Sequence, residues 1–200
     1  LIEIRLDERE LEKIEKKLGT MEDDARNVLR KAINDTAKQA RLRITKQAQL
    51  TYAARQGRFN KHMKIENARK ASLVATIKAT GEATELMDYK TSPTKVPSPT
   101  SRPDVTRAKV IRKNSMKDLE KGDIKAFVVR FKSGHVSVVQ RVPGKTMKSN
   151  PKKEFLRKLL SPSIPQMVGN EKQVYNIVQP NIYKDLQENI DKHIKKVLGD

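Results

Sequence analysis

The chain has no cysteine and no tryptophan, and its four phenylalanines and four tyrosines make aromatics only 4% of 200 residues. Without cysteine there is no disulfide and no thiolate metal site, which fits assembly in a reducing cytoplasm. With few aromatics and 36% hydrophobic residues overall, the core is expected to be modest and aliphatic. Neighbouring subunits are expected to complete part of the fold. No run approaches the roughly 18 apolar residues of a membrane span, and no secretory-type apolar segment is visible, so no membrane partner is expected. Acids are scarce as well: 24 Asp and Glu face 43 Lys and Arg, for a formal charge of +19.

Such an excess points to an acidic partner, or to a place where nucleic acid passes nearby. A solvated basic surface that tunes solubility is the plainer reading. The charge is uneven along the chain. Residues 1–24 hold nine acids and five bases; residues 38–78 hold eleven bases and Glu66 alone; residues 90–160 hold nineteen bases and five acids. An acidic head before a basic body suits head-to-tail subunit contact in a ring, and neutralisation within one chain is equally simple.

The length fits one domain over residues 1–200, with residues 1–24 as an acidic strand-and-helix arm. Leu1 to Leu6 alternates as a short strand does, and Leu11, Ile14 and Leu18 recur at helical spacing before Gly19. A longer helix is expected from Thr20 to Glu22 onward, with Glu22, Asp23 and Asp24 at its positive end. Ala25, Val28, Leu29, Ala32, Ile33, Thr36, Ala37, Ala40, Ile44 and Ala48 trace its apolar stripe. Ala71 to Thr80 reads as a strand, with Glu82 to Tyr89 returning beside it across Gly81. Residues 91–104 carry Pro93, Pro97, Pro99 and Pro103 among Ser and Thr, which predicts a surface loop or arm. Val105 to Arg112 reads as a further strand, and Lys117 to Gly122 as a polar connection. Lys145 to Lys153 reads as a basic loop and Lys152 to Leu160 as a short helix. The last helix is expected from Pro180 to Leu198, with Ile182, Leu186, Ile190, Ile194 and Val197 on one face. The class is therefore α+β: a long N-terminal helix and a C-terminal helix packed on a small, mainly antiparallel sheet with extended basic loops.

Catalytic chemistry finds little footing. Nucleophilic catalysis needs a nucleophile beside a base that a third group orients. His62, His135 and His193 lie in unrelated contexts among basic residues, and surface histidine is expected for all three. No His, Asp or Glu spacing suits a metal, so no metal or cofactor is expected, nor an enzyme. Gly144-Lys145-Thr146 resembles the end of a P-loop, but Val139 stands where that motif needs its first glycine. Nucleic-acid binding is the rival reading. Arg55, Arg58, Lys61 and Lys64 surround Tyr52 and Phe59, so cations would meet phosphates while bases stack, without sequence preference.

Residues 126–145, AFVVRFKSGHVSVVQRVPGK, are the most informative stretch. Ser133-Gly134 reads as a two-residue turn between β-branched and aromatic runs. If Lys132 pairs with His135, Phe131 faces Val136 and Val129 faces Val138, which collects the apolar set on one side. Arg130, Lys132, His135, Ser137 and Arg141 fall on the other. The ribbon then ends in Gln140-Arg141-Val142-Pro143-Gly144-Lys145. A hydrophobic strand, a small turn, a second strand and this ending resemble the minor tail protein Z family of tailed bacteriophages. The order of elements from Ala25 to Leu198 is similar too. Residues 161–168, SPSIPQMV, resemble a segment shared among tail-completion and head–tail joining proteins, with Pro165 and Met167 at the docking point.

The resemblance implies a non-enzymatic, structural virion protein. It implies tail completion and head–tail joining at the head-proximal end of a phage or phage-like tail, with docking to the tail terminator, tail tube and head–tail connector. A homo-oligomeric ring in the virion neck, assembled in the host cytoplasm, is what it implies for location and partners. Arg130, Lys132, Arg141 and Lys145 are the candidate interface residues, and an exposed strand charge is the plain alternative for each. A sequence-independent DNA-binding protein using residues 55–64 is the other functional reading, and a headless tail-like particle is another setting.

Overall fold

The computed structural model of the chain describes residues 1–6, 8–18, 22–121 and 123–198. In chain order the elements begin with β1 (Ile2–Arg5), α1 (Glu8–Leu18), α2 (Glu22–Thr51), α3 (Arg58–Lys61), β2 (Met63–Glu66) and β3 (Val74–Ala79). Short strands follow: β4 (Ala83–Glu85), β5 (Lys90–Ser92), β6 (Arg107–Lys109), β7 (Lys117–Asp118) and β8 (Glu120–Lys121). Next come β9 (Ile124–Arg130), β10 (Val136–Met147), β11 (Asn150–Lys158) and β12 (Leu160–Ser163), then α4 (Ile164–Val168) and α5 (Asn176–Leu198). The class is α+β with long helices towards both ends, and the strands described form small antiparallel sheets. The expected stop at Gly19 and the side chains of Glu22, Asp23 and Asp24 lie outside what is described.

Two compact units form: Leu1–Ala48, Phe59–Gly81 and Pro165–Asp200 make the first, and Gln49–Arg58 with Glu82–Ile164 the second. In the first unit, all ten positions of the expected α2 stripe are buried. Half of them are alanine, which lets neighbours approach the helix axis closely. α5 packs along α2 through a polar ladder. Arg43 donates to both carboxylate oxygens of Asp185, Nε at 2.6 Å and Nη2 at 2.7 Å. Asn189 Nδ2 donates to Thr36 Oγ1 at 2.9 Å and to Gln39 Oε1 at 3.0 Å. Nε2 of His193 lies 3.0 Å from Asp35 Oδ2. Residues rise along α2 as their partners fall along α5, so the helices run antiparallel. Ile182, Leu186, Ile190 and Ile194 are buried as expected, whereas Val197 is exposed. The helix begins ahead of Pro180, at Asn176, after one π-helical turn at Glu171–Tyr175 whose Gln173 N–H donates to Asn170 Oδ1.

The sheet of this unit has the order β1-β3-β2. Ile4 pairs with Ala75, Ile2 and Ile65 both with Ile77, and Met63 with Ala79, so Ile4, Ala75, Ile77 and Met63 are buried on one face. The alternation expected at Leu1 to Leu6 is present. The expected return of Glu82–Tyr89 beside β3 is not: β1 and β2 occupy both edges of β3, and β4 pairs with β12 instead. Asn34 ties the loop after β2 to α2. Its Nδ2 donates to Ala68 O at 3.2 Å, and its Oδ1 accepts from Ala68 N at 2.7 Å.

The second unit holds a four-stranded sheet of order β11-β10-β9-β8, a sheet β5-β6-β7 and the pair β12-β4. Leu86, Ala108, Ala126, Val128 and Val138 form its buried cluster, with Val96, Leu119, Val136 and Leu159 among the half-buried neighbours. Thr91 lies in β5 and is buried, and Val96 packs on that cluster, so the proline-rich stretch is anchored at its start while residues 100–104 are exposed. The expected connection at 117–122 contains the short strands β7 and β8.

The β9–β10 hairpin is displaced by one residue from the expected register. Val128 pairs with Val138 and Arg130 with Val136, and Phe131 N donates to His135 O at 2.8 Å. The loop is therefore Lys132-Ser133-Gly134, closed by Gly134 N donating to Phe131 O at 2.9 Å, with Gly134 at φ +83°. Three-residue hairpin loops commonly place a glycine in this left-handed conformation. Ala126, Val128, Val136 and Val138 consequently share the core side, and Val129 and Phe131 lie on the other. A second correction concerns the expected basic loop at Lys145–Lys153 and helix at Lys152–Leu160. β10 runs to Met147, and residues 150–158 form β11 against it. Pairing with an available strand edge overrides the helical preference of that segment.

Two stability outcomes follow from these contacts. The Asp185 side chain is 7% exposed and Arg43 45%, so Arg43→Ala strands a buried charge whereas Asp185→Asn leaves an arginine able to hydrate. Chemical denaturation is expected to show a loss of about 3 kcal/mol for Arg43→Ala and a smaller loss, about 1–2 kcal/mol, for Asp185→Asn. At Gly134 an added Cβ meets nothing within 4 Å, so a substitution costs backbone strain alone. Gly134→Val is expected to lose about 1–2 kcal/mol, and Gly134→Asn clearly less, because asparagine tolerates the left-handed region.

Candidate assembly surface

The Gln140–Lys145 motif divides into a structural half and a surface half. Gln140 is buried. Its Nε2 donates to Leu119 O at 3.4 Å and Ile124 O at 3.3 Å, and its Oε1 accepts from Arg157 Nη2 at 3.0 Å. One amide thus satisfies two backbone carbonyls at the β8–β9 turn and fixes β11, a job that needs a donor and an acceptor on one side chain. Beyond it the chain turns outward. Arg141 is exposed, 3.4 Å from Glu154 and 5.5 Å from the centre of the Phe127 ring, which Arg102 also covers at 5.2 Å. The pairing of β10 with β11 shifts between Val142 and Thr146, where Pro143 and Gly144 sit, Gly144 at φ +72°. Lys145 lies over the Phe155 ring at 4.6 Å. Thr146 continues as strand, so Gly144-Lys145-Thr146 does not lead into the helix that a phosphate loop requires.

The other candidate residues are dispersed. Arg130 is exposed, with Nη1 donating to Gly134 O at 3.4 Å, and Lys132 is exposed in the hairpin loop. Pro165 is half-buried and its carbonyl accepts from Gly169 N at 3.0 Å, whereas Met167 is 1% exposed. Of that pair only Pro165 reaches the surface.

The basic segment 55–64 does not form the stacking platform expected of it. Tyr52 and Phe59 are 4% and 1% exposed, so their rings belong to the interior and are not offered to bases. Arg58 sits 2.8 Å from Asp88 in a half-buried pair. Arg55 lines a hollow of about 370 Å³ in the second unit with Lys90, Lys109 and Arg112. Lys61 and Lys64 belong to the first unit, exposed, with Lys64 across from Lys78 on β3.

Sequence reasoning missed one cluster. Glu85, at the end of β4, accepts a short hydrogen bond from Ser137 Oγ, and its Oε1 lies 2.9 Å from His135 Nε2 and 3.2 Å from Lys158 Nζ. Burial works to raise the Glu85 pKa, but hydrogen bonds from Ser137, His135 and Lys158 outweigh it and hold the carboxyl below its ordinary value. At Asp35 in the first unit burial likewise raises the pKa, and Lys38 and His193 pull it below the usual range. His135 and His193 are thus paired with carboxylates 50 and 158 residues away, a partnership that local spacing does not reveal. Serine, histidine and an acid meet at Glu85, but Ser137 is buried and donates to the carboxylate, not to the imidazole. That geometry clamps β4 to the hairpin and β11; it does not prepare a nucleophile.

Among the described residues no group of three or more His, Asp or Glu side chains could hold a metal ion, and no helix is long and apolar enough to cross a membrane. Comparison with known proteins gives no match: no family profile fits the chain, and no curated protein or solved structure is significantly similar to it.

The Glu85 clamp has a defined pH dependence. A carboxyl whose folded pKa is depressed stabilises the fold above its unfolded value, here about 4.5, and that contribution disappears as pH falls through the folded value. Glu85→Gln is expected to be about 1–2 kcal/mol less stable than the parent chain at pH 7. The difference is expected to shrink as denaturation curves are repeated at lower pH below the ordinary glutamate range.

Proposed function

We propose that the chain is a structural virion protein, a minor tail or tail-completion component at the head-proximal end of a phage or phage-like tail. It acts by docking: copies assemble at the tail end, in a ring, and join the tail to the head-side connector. Tail terminator, tail tube and connector proteins are the partners of this reading, and the host cytoplasm is where assembly takes place.

The observation that carries the reading is the order and placement of elements around the motif. A 30-residue helix, strands β2 and β3, the β9–β10 hairpin and a closing 23-residue helix follow one another in an order similar to that of the resemblance, although Glu82–Tyr89 does not return beside β3. The Gln140–Lys145 ending falls where a buried strand becomes an exposed ribbon. The second resembling segment, residues 161–168, makes β12 and α4, with Pro165 at the surface. An exposed ribbon that adds little to its own core is the kind of element that a neighbour in an assembly completes.

Disruption of the gene in its own phage or prophage, followed by electron microscopy of the particles, tests this role. Full-length tails lying apart from filled heads are expected, or joined particles that fail to deliver DNA. Normal, infectious, joined particles would sink the reading.

A further inference from the structure

The β10–β11 ribbon carries charge of almost one sign. β9 pairs with β10 only over Val136–Gln140, so from Arg141 onward β10 pairs with β11 alone and the sheet narrows to two strands. Residues 141–158 hold seven bases and Glu154 as their one acid. Apart from Val142, Met147, Asn150 and Leu156, which are half-buried, every residue in that span is exposed. The bases at its root have partners: Arg141 reaches Glu154, Arg157 reaches Gln140 and Lys158 reaches Glu85. Towards the tip, Lys145, Lys148, Lys152 and Lys153 have no carboxylate within ion-pairing distance among the described residues.

We propose that this ribbon is a contact arm for duplex DNA, holding the phosphate backbone without regard to sequence through Lys145, Lys148, Lys152 and Lys153. Composition separates this partner from an acidic protein. Protein interfaces centre on aromatic, Met or Arg anchors and are depleted in lysine. Residues 143–153, PGKTMKSNPKK, offer Met147 as their one large apolar side chain, and it is half-buried. Phosphate recognition, by contrast, is well served by lysine as a flexible point charge.

Geometry agrees. Two strands about 4.8 Å apart fit a major groove roughly 12 Å wide, which admits a two-stranded ribbon. Seven residues from Arg141 to Met147 reach about 20 Å at roughly 3.3 Å each, enough to enter that groove. The pairing shifts between Val142 and Thr146 and again between Thr146 and Met147. Bulges of this kind bend a ribbon, sharpen its right-handed twist and re-aim its side chains. All four lysines sit at these irregularities or at the turn. Residues 55–64 are a different stretch of sequence, and their one aromatic ring, Phe59, is buried. The arm stands independently of the tail-assembly reading, because DNA affinity is read on the purified chain and not on particles.

The test is fluorescence anisotropy of the full chain with a labelled mixed-sequence duplex over a range of NaCl concentrations. Each phosphate contact adds about 0.9 to the slope of log affinity against log salt. Replacing all four lysines by alanine is therefore expected to lower the slope by about 3.6 and to weaken binding by about 30-fold or more at fixed low salt. The same four changed to arginine should keep both. Lys61→Ala with Lys64→Ala should cost much less, and circular dichroism melts of all variants should match the parent chain, since the four side chains are exposed. Wild-type affinity in the alanine variant would overturn the proposal. So would a loss of the same size per charge from Lys61 and Lys64, or competition by a polyglutamate peptide as strong as by DNA of equal charge; the last result would hand the arm to an acidic protein.

Discussion

The first unit depends on the ion pair between Arg43 and Asp185. Asp185 lies inside the apolar stripe of α5, where an unpaired carboxylate would be costly, and two hydrogen bonds from one guanidinium answer its charge. An apolar stripe on α5 could slide along the small, alanine-rich face of α2 with little change in buried area. The polar ladder prevents that sliding. Arg43 with Asp185, Thr36 and Gln39 with Asn189, and Asp35 with His193 are all satisfied in one register, and a shift of a single helical turn would break every pair. Burial drives these helices together, and hydrogen bonding decides how they align.

The second unit solves a related problem with other means. Outside β9, β10 and β11 its strands are short, and its buried cluster is small, so strand register has little hydrophobic area to enforce it. Three local devices, one of backbone conformation and two of hydrogen bonding, supply the missing specificity. Gly134 fixes the hairpin loop length, Gln140 ties the β8–β9 turn to the centre of the sheet, and Glu85 fastens β4 to Ser137, His135 and Lys158. A thin core is compatible with a defined fold where buried and half-buried polar groups such as Gln140 and Glu85 are held by several partners each.

The pattern of what was legible in the sequence follows from these facts. The α2 stripe could be read to the residue, because a long helix buried on one face repeats its period many times. The α+β class was legible for the same reason. The hairpin was legible in place but not in register: Ser137 to Gln140 are buried on both faces of β10, so the alternation that would expose a one-residue error is absent there. β11 was misread because its residues favour a helix in isolation, and only the edge of β10 makes them a strand. Asp185 and Asn189 were passed over as polar positions, and Glu85 was not singled out, since their partners lie far away in sequence. Neither unit is continuous along the chain, which is why no shift in composition marked a boundary between them. Of the candidate surface, Arg141 and Lys145 were found through the motif, whereas the tip lysines around them were hidden in a supposed loop.

Where bases serve the fold they are matched: Arg43, Arg58, Lys78, Arg107 and Lys158 each have a carboxylate within 3.2 Å. The tip of the β10–β11 ribbon is built the opposite way, with lysines concentrated on an element that buries little and held near one another against their mutual repulsion. Among the described residues these lysines meet no acid, and Lys145 rests over the Phe155 ring instead. Both bulges add to the cost of the ribbon, since each leaves residues outside the ladder. The proposed contact with DNA phosphates would supply from outside the chain the opposite charge that the tip lysines do not meet among the described residues.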